Sequence, residues 1–185
     1  MMKEIMRILI ATPLYPPDIA APAPYVKELA TRLTSLHEVS ILTCSHLPEE
    51  VPGVTITSVN KRQPRLRRLL AFTRSLAEAA RTVDVVIVEN GPSTELAAFF
   101  VSLTTRTPVV VHTGDPLSQR AVRANPLRRF LSTLTRLTAR AVITDTPCDK
   151  PELLPFPPEP VDALAAYESS WRAHLKLLTE TLNTV

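Results

Sequence analysis

The chain has 185 residues, enough for one domain with a real core and too few for two large ones. Apolar residues make up 45% of it and charged residues 21%, the balance of an ordinary globular protein, with a formal net charge of +3. No run approaches the roughly 18 apolar residues of a membrane span. Cys44 and Cys148 have neither CxxC spacing nor a nearby His cluster, which argues against zinc and for free thiols in a reducing, cytosolic compartment.

Residues 6–11 (MRILIA) form a continuous apolar run, as a strand buried on both faces should, and Pro13 follows too soon for a signal segment. Residues 24–36 place Val26, Leu29, Ala30 and Leu33 on one helical face, with Pro24 suited to the first turn. Residues 38–43 (EVSILT) and 54–59 (VTITSV) read as strands rich in β-branched residues. A helix over 65–82 carries Leu66, Leu69, Leu70, Thr73, Leu76, Ala77 and Ala80 as one inward stripe. Residues 84–88 (DVVIV) are another buried strand, followed by a helix to Leu103 that Ser93 or Thr94 can cap. Residues 108–112 (PVVVH), a helix over 126–138 with Leu127, Phe130, Leu131 and Leu134 inward, and 141–144 (AVIT) complete the series.

Strands alternating with helices predict an α/β fold, a Rossmann-like three-layer sandwich around a parallel sheet of about six strands. Ligands in such sheets bind at the carboxyl ends of the strands, so the loops at 12–23, 89–93 and 112–117 are the ones to watch. Residues 147–160 lack periodicity and are stiffened by proline, as a linker is. Beyond them Leu164, Tyr167, Trp171, Leu175, Leu178 and Leu182 recur every three or four residues, which predicts a last amphipathic helix with Trp171 in its core stripe. The division is thus a Rossmann-like domain over 1–147, a linker over 148–160 and a carboxyl-terminal helix over 161–185.

The order of MRILIATPLYPPD, PYVKELATRLTSLHEVSILT, DVVIVENGPS, PVVVHTGDP and RAVITDTP resembles the amino-terminal, acceptor-side domain of family-4 glycosyltransferases of the GT-B kind. A YPP after the first strand and an HEV opening the second are habits of that family. The tail, PFPPEPVDALAAYESSWRAHLKLLTETL, resembles the end of a GT-B chain, whose last helix packs back on the amino-terminal domain. The resemblance therefore implies that the donor-binding domain between them is skipped. The family's Gly-Gly after YPP lets backbone amides approach a diphosphate. Here Asp18-Ile19-Ala20-Ala21-Pro22-Ala23-Pro24 stands instead, and two prolines have no N–H to give.

His112 matches the family's histidine at a strand end, where a neutral imidazole can accept a proton or bond a hydroxyl; the plain reading of the residues is a structural histidine tied to loop backbone. Glu89, Asn90 and Ser93 match the polar acceptor-side loop, against a role in tying that loop down. Asp115 either orients His112 or holds an acceptor hydroxyl, or caps a turn before Pro116. His37 reads as structural, and His46 and His174 as surface residues. Lys61, Arg62, Arg65, Arg67 and Arg68 interleave with leucines at a helix start. In membrane-associated relatives this region meets anionic lipid, while the plain reading is a solvated face whose leucines belong to the core stripe. Few aromatic residues accompany these cations, which argues against nucleic acid.

Two functions follow. One is the acceptor-binding half of a nucleotide-sugar-dependent hexosyl transfer, His112 being catalytic, on a glycan or lipid-linked acceptor. It would use no metal and no cofactor beyond the sugar-nucleotide substrate, and would act only with a donor-domain partner. The other is a non-catalytic binding or scaffold protein. A homodimer, and peripheral contact with the inner face of a membrane, are compatible with either.

Overall fold

The computed structural model describes residues 5–20, 22–89, 91–113, 120, 122–143 and 164–185. Six strands build one sheet: β1 (Arg7–Thr12), β2 (Glu38–Thr43), β3 (Val54–Ser58), β4 (Val85–Glu89), β5 (Val109–His112) and β6 (Ala141–Ile143). Every pairing is parallel, in the order β3-β2-β1-β4-β5-β6. The order reverses between β1 and β4, the switch point beside which sheets of this kind bind ligands.

The helices are α1 (Pro22–Leu33), α2 (Arg65–Ala80), α3 (Pro92–Thr104), α4 (Pro126–Thr138) and α5 (Leu164–Asn183). Alternate strand residues feed two cores. Ile8, Ile10, Ile87 and Val110 pack against α1 and α5, and Leu9, Ala11, Val86, Val88 and Val111 against α2 and α3. Because both faces are covered, the central strands are apolar between their ends, which is why they read as unbroken runs.

The topology explains the need for α5. Helix α1 is the one crossover helix on its side among the described residues, and it packs on β1 and β2. Among the described residues, the same face of β4, β5 and β6 has no other cover than the last helix. Tyr167, Trp171, Leu178 and Leu182 join Val85, Ile87, Val110 and Ile143 in one cluster there. Trp171 is 0% exposed, so the tail packs back on its own domain as its periodicity predicts.

Two helix faces differ from the sequence reading. On α2 the buried positions are Phe72, Leu76 and Ala80, while Leu66 and Leu70 are exposed. On α4 the buried positions are Ser132 and Thr135, while Leu127 and Phe130 point outward and Leu131 and Leu134 are half-buried. Hydrogen bonding decides the α4 case. Thr135 Oγ1 donates to the backbone carbonyl of Glu95 at 2.9 Å, and Ser132 Oγ lies 3.4 Å from the Glu95 carboxylate. Helix α4 begins where the Asn125 side chain accepts from the backbone N–H groups of Leu127 and Arg128 at 3.0 and 3.3 Å.

Two smaller corrections follow. Neither Ser93 nor Thr94 is the N-cap of α3. Gly91 holds that position, and Thr94 Oγ1 instead donates to the carbonyls of Glu89 and Gly91. His174 is buried on α5 rather than at the surface. His37 is structural, its Nδ1 accepting from the Met6 N–H at 3.3 Å. Thr144, Cys148 and the linker over 148–160 lie outside the described residues.

Candidate functional site

Strand register sets the centre of the site. Glu89 and His112 are direct partners at the carboxyl ends of β4 and β5. Both side chains share the parity of Ile87 and Val110, so both turn to the face covered by α1 and α5. His112 Nδ1 and Glu89 Oε1 lie 2.7 Å apart, each residue at most 2% exposed. Glu89 Oε2 is buried without a hydrogen-bond partner among the described residues. The contact between Nδ1 and the Glu89 carboxyl fixes the plane of the imidazole. The pair is therefore oriented and buried.

Aromatic rings close over it. The Tyr25 ring stacks on the His112 ring at 5.1 Å and 23°, and Trp171 stacks on Tyr25 at 5.6 Å and 18°. The Arg32 guanidinium lies over Trp171, 5.0 Å from the ring centroid. The result is a column of imidazole, phenol, indole and guanidinium running from β5 across α1 to α5. Tyr25 Oη is 2.6 Å from His174 Nε2, and the His174 and His112 ring centroids are 5.7 Å apart. At the far end Glu168 receives two bonds from Arg32, at 2.7 and 2.9 Å, and holds the guanidinium pKa above its ordinary value. Among the described residues, the side chains of α1 and α5 cover His112.

The loops at the switch point meet closely. A Cβ on Gly91 would come within 3.0 Å of the Pro13 side chain, so a residue without one lets the loops after β1 and β4 touch. Tyr15, in the first of these loops, is fully buried, and burial pushes its phenol up to about 12, with Glu49 adding to the effect. Pro22 and Pro24 fall in the first turn of α1, where the helix would otherwise present free N–H groups. Two potential phosphate donors are therefore absent from that turn.

The remaining expected residues separate. Ser93 lines a different cleft, on the α2–α3 side, with Cys44, Arg65, Arg68, Leu69 and Phe72 and about 220 Å³ of room. Asn90 and Asp115 lie outside the described residues. Of the basic stretch, Lys61 is paired with Asp18 at 2.6 Å and Arg68 donates to the Lys61 carbonyl at 2.8 Å. Arg62, Arg65 and Arg67 are exposed and form no ion pair among the described residues. No three His, Cys, Asp or Glu side chains gather in a metal-binding arrangement among the described residues. No described helix is long and apolar enough to cross a membrane.

Sequence reasoning missed Tyr25, His174 and the roofing role of Trp171. A signal existed: Tyr25, Leu29 and Arg32 share one face of α1, and His174 sits on the spacing 167, 171, 174, 178, 182.

The chain belongs to the glycosyl transferase 4-like domain family, whose model matches residues 21–172. Among solved structures it is similar to Anabaena HepE in complex with UDP, at 18% identity and a TM-score of 0.51, over 74% of this chain and 37% of that one. HepE with UDP-glucose bound is similar at 19% identity and a TM-score of 0.51, over 74% and 36%. A Listeria monocytogenes protein assigned as a UDP-N-acetylglucosamine 2-epimerase is similar at 13% identity and a TM-score of 0.52, over 75% and 39%. These likenesses show the fold, a single Rossmann-like half of the GT-B kind, and the chain spans less than two fifths of each structure's length. No curated protein matches it significantly.

Proposed function

We propose that the chain is the acceptor-binding half of a nucleotide-sugar-dependent glycosyltransferase, acting in the cytosol with a partner that brings the donor-binding half. The Glu89–His112 pair carries this reading. It stands at the carboxyl edge, where this fold class places ligands, in a chain of the glycosyl transferase 4-like family. With Nδ1 held by Glu89, contact between the ring and a sugar hydroxyl would run through Nε2, which can take the hydroxyl proton during transfer. The donor is taken to be a sugar nucleotide because HepE has been solved with UDP and with UDP-glucose. The acceptor is a glycan or a lipid-linked sugar. The prolines at the start of α1 make the chain a poor diphosphate binder on its own, which is why a partner, another protein or a second copy, is part of the proposal.

A second reading, a non-catalytic binding or scaffold protein, is favoured by the roof of Tyr25, Trp171 and His174 over His112. One experiment separates the two. Proteins that co-purify with the chain are identified, and transfer from UDP-glucose and UDP-N-acetylglucosamine is measured for the isolated chain and for each complex. Turnover by a complex, absent from the isolated chain and abolished by His112→Ala, supports the half-enzyme. Glycan binding without turnover in every complex supports the scaffold. Turnover that survives His112→Ala overturns the role given to the pair.

A further inference from the structure

The helical layer on the α2–α3–α4 side carries large apolar side chains on its solvent face as well as its inward one. Phe72, Leu76 and Val101 face inward, as do smaller or hydroxylic residues such as Ala80, Ala97, Ala98 and Ser132, and further large apolar side chains face solvent. Leu66 and Leu70 on α2 are 69% and 61% exposed, and Phe100 and Leu103 on α3 are 48% and 61% exposed. On α4 Leu127 and Phe130 are 65% and 59% exposed, and Leu137 is 76% exposed. Helix α3 lies between the other two and has Glu95 as its one charge, which is buried, so its outward side is uncharged. Single exposed leucines are normal, but a whole layer of them marks an interaction surface.

Charge identifies the occupant. The three helices carry seven arginines against two glutamates, of which Glu78 is paired with Arg74 and Glu95 is buried. Elsewhere in the chain acids outnumber bases, so the cationic excess is concentrated in this layer. A second copy seated face to face would set seven arginines against seven, which like-charge repulsion opposes. An anionic bilayer meets both demands: leucines and phenylalanines enter the acyl boundary while guanidiniums bind headgroup phosphates.

We propose that the α2–α3–α4 layer is a lipid-facing surface that docks on an anionic membrane, with α4 as a second anchoring helix beside the basic start of α2. The sequence places lipid contact on Lys61, Arg62, Arg65, Arg67 and Arg68 alone and turns α4 inward. The structure adds α3 and α4, and it removes the objection that Leu66 and Leu70 belong to the core. This inference is independent of the glycosyl-transfer reading, since it rests on a different face and a different observation.

The test uses the full chain and sedimentation with phosphatidylcholine vesicles, with and without phosphatidylglycerol, at low and high salt. Acidic vesicles should carry the protein down and neutral ones should not, and salt should weaken the binding because screening acts within about 8 Å at physiological strength. The Leu127→Ser/Phe130→Ser variant keeps every charge, and Arg128→Gln/Arg129→Gln keeps every apolar group. Each pair should reduce binding about tenfold or more, with circular dichroism and Tm unchanged because all four side chains are exposed. Equal binding to neutral vesicles, or binding that ignores both α4 variants, overturns the proposal. So does failure to bind any vesicle, whether the chain is then a monomer or a dimer that Phe130→Ser dissociates.

Discussion

Tyr25 Oη and His174 Nε2 lie 2.6 Å apart in the core although 149 residues separate them in sequence. This bond ties the first helix to the last directly above His112. Both residues are buried, so deleting the hydroxyl leaves a polar ring nitrogen without that partner in a dry site. Tyr25→Phe should cost about 1–3 kcal/mol, measured by thermal or urea denaturation. A double-mutant cycle with His174→Phe should be non-additive, because the two single changes remove the same contact. Additive effects would mean that the bond contributes nothing to holding α5 in place.

A buried pair can be tested for whether stability alone explains it. Breaking one by a single substitution typically costs about 3–5 kcal/mol, while replacing both partners with apolar residues is often neutral or stabilising. Glu89→Leu and His112→Leu should therefore each destabilise the domain strongly, and the double variant should recover most of the loss. A double variant as stable as the parent but inactive in the reconstituted complex would assign the pair to chemistry. A double variant that stays as unstable as the singles would make it a structural link between β4 and β5.

The sheet was legible because its central strands are covered on both sides, and runs such as VVIV at 85–88 have no other use. The helix faces were harder. Periodicity shows that α2 and α4 each carry an apolar stripe, but it does not say what covers that stripe. On α4 the contact with α3 is made by Ser132 and Thr135 through Glu95, which no apolar count detects. His112 and Glu89 were legible as polar residues ending apolar strands, and their pairing follows from strand register. The roof was not, since Tyr25, Trp171 and His174 meet through tertiary packing alone. His174 was passed over in favour of Leu175, a hydrophobic neighbour one position away on the same helix.

Glu95 should make stability depend on pH. Burial pushes its carboxyl pKa above the ordinary value, against the opposing pull of Arg136 and the Ser132 bond. A raised pKa means that the folded state holds the proton more tightly than the unfolded chain does. The stabilising contribution of the protonated group is then complete below the unfolded value and is lost as pH rises through the folded one. At pH 7 the buried carboxylate is a net burden. Glu95→Gln keeps the shape and can keep the Ser132 bond, so its Tm should exceed that of the parent at pH 7 by about 1–3 °C. The difference should shrink as the pH falls toward 4. A lower Tm for the variant at pH 7 would show that attraction to Arg136 outweighs burial.

The last prediction concerns Trp171, where packing and access to the site meet. Its ring is fully buried between Tyr25 and the Arg32 guanidinium, and its neighbours Tyr167, Leu178 and Leu182 close the same face. Trp171→Ala should cost about 3–5 kcal/mol through lost transfer energy and the cavity left behind. The Arg32–Glu168 bond is partly exposed, and Glu168→Gln should cost no more than about 1 kcal/mol by comparison. Deleting residues 161–185 should uncover Val85, Ile87, Val110 and Ile143 and cause aggregation, because nothing else covers that side of β4, β5 and β6 among the described residues. The same roof limits access to His112, which gives a readout that stability alone would not move. Under conditions where both proteins are folded, diethylpyrocarbonate should modify His112 faster in Trp171→Ala than in the parent. Equal labelling rates in a destabilised variant would mean that Trp171 supports the core without gating His112. An unchanged Tm would mean that α5 does not hold this face at all.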